Sequence, residues 1–167
     1  PLKLGRHCSL KFRLSHLFAL RPICCASEDR SAYGNLTNIA TQAMSRPLPI
    51  EYGAITPENV EELRKVNAAC FPVSYNAGFY REIAVRRDDR LNKFAFYSGK
   101  VVGAVCTRLE PISNNRHRLY IMTLGVLAAY RGREVGTQLI QSILDYFEEE
   151  RDGKLATVDE ICLHVQT

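Results

Sequence analysis

Arg131, Gly132, Arg133 and Gly136, four residues of one short turn, have the types and spacing to receive an anion. They stand between the apolar run LYIMTLGVL, residues 119–127, and the segment GTQLIQSILDYFEEE, residues 136–150. A strand that feeds such a turn and then a helix aims several backbone N–H groups and the positive helix end at one spot, and that spot suits a diphosphate. Glu134 sits in the middle of the turn, where a carboxylate would repel a phosphate. Taken alone it is at ease in the first turn of a helix, where it favours the macrodipole. The same residues also read as a plain strand-to-helix connection with solvated arginines, because glycine-rich turns are weak signals without context.

The elements that must position this turn are legible on both sides of it. Val135, Leu139, Ile143 and Phe147 recur at steps of four, with Ile140 and Leu144 on the adjoining stripe, so 135–150 reads as a helix with one apolar face. DEICLHVQT, residues 159–167, alternates Ile161, Leu163 and Val165 against Cys162, His164 and Gln166, the pattern of a strand. Upstream, a strand near 50–54 leads to a helix from about 57 to 69, with Thr56 as N-cap and Pro57 at the first helical position. CFPVSYN stops that helix, and a short helix near 77–86 follows. KFAFYSGKVVGAVCTRLE reads as two strands joined by a tight turn at Ser98-Gly99. NNRHRLYIMTLGVL is a polar loop entering another strand.

The chain is 167 residues long and 46% hydrophobic, enough for one domain with a real core and too short for two ordinary ones. Its net charge of +4 resides in residues 1–43, which carry six Lys/Arg against Glu28 and Asp29, while 44–167 is balanced at sixteen of each sign. A neutral domain argues against direct sequence-specific nucleic-acid binding spread over the fold. Cysteines 8, 24, 25, 70, 106 and 162 lack the paired spacing of zinc sites and read as reduced, buried thiols of a cytoplasmic protein, so no metal is expected. No apolar run reaches 18 residues, and no membrane partner is expected. The first methionine is Met44. Residues 1–43 are expected to be an N-terminal extension outside the domain, either upstream translation or an Arg- and Ser-rich targeting segment, and 44–167 to be the domain.

FPVSYN, VGAVC, RLYIMTLGVLAAYR and ICLHVQT, in that order, resemble blocks of the GNAT acetyltransferase superfamily, and most closely its NatE-type protein N-terminal acetyltransferases, the separation anxiety family. The resemblance covers about residues 50–167. It implies an α/β fold with a mostly antiparallel mixed sheet, splayed at an acetyl-CoA cleft and flanked by helices. It also implies transfer of an acetyl group from acetyl-CoA to the α-amino group of protein N-termini, with Met followed by a hydrophobic residue preferred. The implied setting is cytoplasmic, or nuclear as well, with acetyltransferase-complex subunits and the ribosome as partners. The alternative is a non-catalytic binding subunit of such a complex.

Carried over by residue, the resemblance implies that Tyr120 and His164 form the catalytic pair, acting through an ordered water. A peptide α-amino group has a pKa near 8, so a base must remove a proton before the nitrogen can attack a thioester, and histidine titrates in the needed range. Leu124, Gly125 and Val126 would hold the acetyl and pantetheine by main-chain hydrogen bonds, and Arg131, Gly132, Arg133, Gly136 and Thr137 would hold the diphosphate. Phe71, Pro72, Val73, Tyr75 and Met122 would wall the pocket for the substrate's first residues, each matched apolar side chain contributing about 1.5–3 kcal/mol.

Two departures stand against the family pattern, Arg/Gln-x-x-Gly-x-Gly/Ala. Glu134 occupies the position of its first glycine. The family also continues past its last matched strand into a further helix, which supplies cofactor contacts and a tyrosine for the CoA thiolate, and a hairpin, whereas this sequence ends at Thr167. On that reading the domain is C-terminally incomplete, weakly active or inactive, and its sheet is left with an exposed edge.

Overall fold

The computed structural model describes the backbone of residues 7–13, 46–86 and 88–166, and the side chains of residues 46–86 and 88–163. The strands are β1 (His7–Arg13), β2 (Glu51–Ala54), β3 (Lys93–Tyr97), β4 (Lys100–Ser113), β5 (Arg116–Val126) and β6 (Val158–Gln166). The helices are α1 (Val60–Cys70), α2 (Ala77–Arg86) and α3 (Val135–Glu149), with a 3-10 turn at Ala128–Tyr130. The strands form one sheet in the order β1-β6-β5-β4-β3-β2. Every neighbouring pair is antiparallel except β5 and β6. This is the mostly antiparallel mixed sheet expected.

Turn chemistry explains the hairpins. Ser98 and Gly99 have φ of 49° and 72°, the paired positive values of a type I′ turn, which matches the strand twist. Asn114 and Asn115 do the same at 48° and 61°, so the expected polar loop is a second tight hairpin that carries β4 to Ser113. Helix α1 begins at Val60, three residues later than its sequence suggests. The Asn59 carboxamide accepts the Thr56 N–H at 2.8 Å and donates to the Ala54 carbonyl at 3.0 Å, which closes Thr56–Asn59 as a turn and removes Thr56 as the cap. Helix α2 starts where expected, with Asn76 Oδ1 accepting the Phe79 N–H at 2.9 Å.

Helices cover both faces of the sheet. On one face, Val135, Leu139, Ile143 and Phe147 of α3 are buried against Val102, Val105, Leu119, Ile121 and Ile161, so the apolar stripe meets its core. On the other, Leu63 and Val66 of α1 and Tyr80 and Ile83 of α2 pack over Phe94, Ala104 and Cys106. The outer edge of β6 is paired rather than bare. β1 runs antiparallel along it from His7↔Gln166 to Arg13↔Glu160, satisfying backbone groups that an open edge leaves without partners.

Candidate active site

The cleft begins where two strands part. β5 and β6 pair from His117↔Val158 to Ile121↔Leu163 and no further, although β5 continues to Val126 and β6 to Gln166. Beyond Ile121 the side of β5 that faces β6 has lost its ladder partner, which leaves main-chain donors and acceptors of Leu124-Gly125-Val126 for a ligand. On its other side this segment stays paired to β4, as Leu124↔Val105, Gly125↔Ala104 and Val126↔Gly103.

A β-bulge sits at the same place. The register jumps from Thr107↔Ile121 to Cys106↔Thr123, so Met122 is the extra residue of β5. Before the bulge Leu119 and Ile121 face α3, while Tyr120 and Met122 face α1 and α2. After it the alternation is reversed: Leu124 and Val126 pack with the α3 core, and Gly125 faces Cys70 and Phe71 at the end of α1. The bulge thereby sets Tyr120, Met122 and Gly125 on one wall of the cleft.

The FPVSY loop stands opposite that wall. Phe71, Pro72, Val73 and Tyr75 line a cavity of about 460 Å³ together with Arg64, Ala68, Ser74 and Tyr80. An aromatic row stiffens it, with Phe71 edge-on to Tyr75 at 6.1 Å, Tyr75 stacked on Phe79 at 4.7 Å and Phe79 edge-on to Tyr80 at 5.1 Å. Met122 packs in the same layer as Tyr75. Burial raises the Tyr75 phenol above its usual pKa, and the neighbouring Tyr120, Tyr80 and Cys106 add to that. Tyr75 is therefore a neutral donor, beside Tyr120. The Cys106 thiol is pushed up to about 12 by burial and is an inert packing group. A second hollow of about 390 Å³, between the β2–β3 edge and α3, is lined by Tyr52, Lys93 and Ser142 and by none of the residues selected from the sequence.

His164 lies on β6 one alternation beyond Cys162, the register partner of Tyr120. The backbone thus puts residues 120 and 164 on one face of the sheet; the histidine side chain falls outside the described residues.

At the other end of the cleft the 3-10 turn leads into the arginine-rich loop. Arg131 Nε donates to the Val126 carbonyl at 2.9 Å and ties the loop to the end of β5. The first intrahelical bond of α3 runs from the Gln138 N–H to the Glu134 carbonyl, so the N–H groups of Val135, Gly136 and Thr137 precede it at the helix N-terminus. Arg133 Nε is buried with no hydrogen-bond partner among the described residues, an unsatisfied donor that an anion could take up. Glu134 is not in the helix's first turn as the sequence suggests. It is the N-cap residue, at φ 60° and ψ 10°, and its exposed side chain makes no capping bond. That is the left-handed conformation a glycine adopts freely, so the loop keeps its shape at a cost in backbone strain.

Three residues of this site escaped the sequence reading. Cys70 and Tyr80 are ordinary core residues by type, and Arg64 an ordinary surface cation. Only the packing of α1 on β5 sets Cys70 against Gly125, and only the stacking of Arg64 over the Tyr80 ring at 4.1 Å places that pair in the wall of the FPVSY cavity, which neither Met122 nor any other β5 residue lines. Among the described residues no cluster of side chains could hold a metal ion, and no helix is long and apolar enough to cross a membrane.

The sequence pattern of the Acetyltransferase (GNAT) family matches residues 60–161. A fruit fly (Drosophila melanogaster) protein described as probable N-acetyltransferase san is 46% identical over 117 residues, 70% of this chain and 59% of the relative. A zebrafish (Danio rerio) protein, N-alpha-acetyltransferase 50, is 44% identical over 117 residues, 70% of this chain and 65% of the relative. The chain thus spans about six-tenths of the length of these curated relatives. Among solved structures, Arabidopsis thaliana Naa50 in complex with the bisubstrate analogue CoA-Ac-MVNAL superposes with a TM-score of 0.60 at 35% identity, over 72% of this chain and 74% of that one.

Proposed function

The chain belongs to the GNAT acetyltransferase family, and on that premise we propose that it transfers an acetyl group from acetyl-CoA to the α-amino group of protein N-termini, with Met followed by a hydrophobic residue preferred. The observation that carries the proposal is the parting of β5 from β6 beyond Ile121 and Leu163, with a bulge at Met122 and the N-terminus of α3 at its far end. Acetyl-CoA supplies the activated acyl group as a thioester. The residues fit it: a strand edge without a partner suits the amide-rich pantetheine, and Arg131, Arg133 and the first N–H groups of α3 suit the diphosphate.

The substrate amine enters from the FPVSY side. Phe71, Pro72, Val73, Tyr75 and Met122 take its first side chains out of water and hold the nitrogen against Tyr120. His164 receives the amine's proton through a water positioned by Tyr120. A new C–N bond forms as the C–S bond breaks, and CoA leaves as the thiolate, which takes the second proton that the nitrogen sheds on becoming an amide. A backbone N–H of the Leu124–Val126 segment stabilises the negative charge that develops on the carbonyl oxygen. A cytoplasmic setting belongs to the same proposal and is supported by the free thiols at Cys70, Cys106 and Cys162. Protein N-termini are the expected partners, at the ribosome or within an acetyltransferase complex.

The test is release of CoA from acetyl-CoA in the presence of Met-Leu-type peptides. Tyr120→Phe and His164→Ala are each expected to lower turnover by about 10–1000-fold while acetyl-CoA affinity holds. Unchanged turnover in both rejects the pair. Acetyl-CoA binding without transfer to any N-terminal peptide selects the binding-subunit reading instead.

A further inference from the structure

Helices α1 and α2 enclose a groove that carries two hollows. The first is the cavity of the FPVSY loop, and the second, of about 250 Å³, is lined by Pro57, Val60, Ala77, Arg81, Ala84 and Val85. Arg64 and Tyr80 line both, so the hollows adjoin. Helical spacing accounts for this, because Val60, Arg64 and Ala68 follow at steps of four on one side of α1, and Ala77, Tyr80, Arg81 and Ala84 share one side of α2. No Asp or Glu lines either hollow, whereas Arg64 borders both and Arg81 the second. The Arg64 guanidinium lies over the Tyr80 ring at 4.1 Å, and its Nε is engaged by Glu61 at 3.1 Å. Its two Nη groups, and the Arg81 side chain, have no hydrogen-bond partner among the described residues. A planar fork of donors is thus held ready where the hollows meet.

We propose that the α1–α2 groove takes the substrate chain beyond its first two residues, and that Arg64 selects an acidic side chain there. The inference rests on the acyl-transfer reading above, in which the substrate amine lies at Tyr120. Tyr75 joins the two regions, since it packs in one layer with Met122 and also lines the FPVSY cavity. Arg64 lines that same cavity, so an extended chain, advancing about 3.3 Å per residue, comes alongside it within its next few residues. The walls suit such a chain: Ala68, Ala77 and Ala84 leave room for a backbone, and Val85, 68% exposed, offers apolar contact. Charge decides which chain is preferred. A carboxylate meets two arginines and no lining acid, so Asp or Glu is attracted and Lys or Arg repelled. Glu61 occupies the Nε edge of the guanidinium and leaves the Nη edge for the substrate.

The experiment compares acetyl transfer to Met-Leu peptides carrying Asp, Gln or Lys at the third, fourth or fifth position, at low and high salt, by the parent chain, Arg64→Gln, Arg64→Lys and Arg86→Gln. Arg64 is half-exposed, so the best-placed Asp is expected to raise the parent's kcat/KM about three- to fivefold over Gln, mainly through KM, and Lys to lower it by a similar factor. Raised salt shrinks both differences. Arg64→Gln brings the Asp-to-Gln ratio to about one, and Arg64→Lys, which keeps the charge without the fork, loses part of it and serves if Arg64→Gln fails to fold. Arg86 is paired with Glu82 at 2.8 Å and lines neither hollow, so Arg86→Gln makes the same change in net charge and keeps the parent's ratio. Equal rates for Asp and Gln peptides at all three positions overturn the proposal, as does a ratio that Arg64→Gln leaves intact or that Arg86→Gln lowers as much. If the parent acetylates none of the peptides, the acyl-transfer reading fails by itself, and the groove is judged by fluorescence anisotropy of the same peptides labelled at their C-termini. Tighter binding of the Asp peptides that Arg64→Gln abolishes then sustains the proposal, and binding without charge preference, or no binding, overturns it.

Discussion

Glu134 combines two effects that three variants separate. Its backbone is at φ 60°, where an L-residue costs roughly 1–2 kcal/mol relative to the right-handed region. Glycine removes that strain but gains about 0.5–1 kcal/mol of unfolded-chain freedom, so Glu134→Gly is expected to stabilise the fold by about 0.5–1 kcal/mol. In a domain of this size that raises Tm by roughly 2–4 °C. The carboxylate acts separately on the ligand. It is exposed, so its repulsion operates in a water-like dielectric: at about 8 Å each phosphate charge costs roughly 0.5 kcal/mol, and two charges about 1 kcal/mol. Glu134→Gln, which keeps the strained backbone and removes the charge, should bind acetyl-CoA roughly fivefold tighter at low salt with Tm unchanged. Glu134→Gly should show both gains, and Glu134→Ala the tighter binding without the higher Tm. Raised salt should erase the affinity difference and leave the Tm difference intact. Thermal melts and calorimetric titrations at low and high salt are the assays. A Glu134→Gly variant no more stable than Glu134→Ala refutes the strain argument. Equal affinity of parent and Glu134→Gln at low salt refutes the placement of phosphates at this helix end.

Two further perturbations reach the structure that supports the cleft. A Cβ at Gly103 would stand 2.8 Å from the Gly125 carbonyl oxygen, a backbone atom that cannot swing aside. Gly103→Ala is therefore expected to cost about 1–3 kcal/mol in a denaturant melt and to weaken acetyl-CoA binding by moving β5; an unchanged midpoint and affinity would contradict that contact. Glu110 is hydrogen-bonded by Arg108 and by Arg118, whose Nη2 lies at 2.8 Å, and these guanidiniums hold its carboxyl below the usual glutamate range, with Arg108 the larger influence. A carboxylate with a depressed folded-state pKa contributes stability above its unfolded value of 4.5 and loses it as pH falls through the folded value. Glu110→Gln should thus melt below the parent at pH 7 and level with it in acid below that folded value; a gap that persists there would point to packing rather than charge.

Much of this protein is determined locally and was legible for that reason. The 3.6-residue stripe of α3, the alternation of β6 and the Ser98-Gly99 turn each depend on neighbours a few residues away, and each is found where the pattern puts it. The order of the motif blocks points to the family by the same means, and the fold follows from it. What periodicity cannot carry is decided by contacts between distant segments. One extra residue at Met122 inverts the facing of everything after it, and only the pairing of β5 with β4 reveals that. The exact start of α1 depends on which backbone groups the Asn59 side chain reaches, so Thr56 and Pro57, good starting residues by type, lose to it. The pairing of the β6 edge by β1, about 150 residues away in sequence, is invisible to any local rule, because open backbone hydrogen bonds take whichever strand the chain brings to them. Glu134 shows the division within one residue: its charge and its place in the loop are in the sequence, whereas its left-handed backbone is imposed by the loop and by the helix that starts immediately after it.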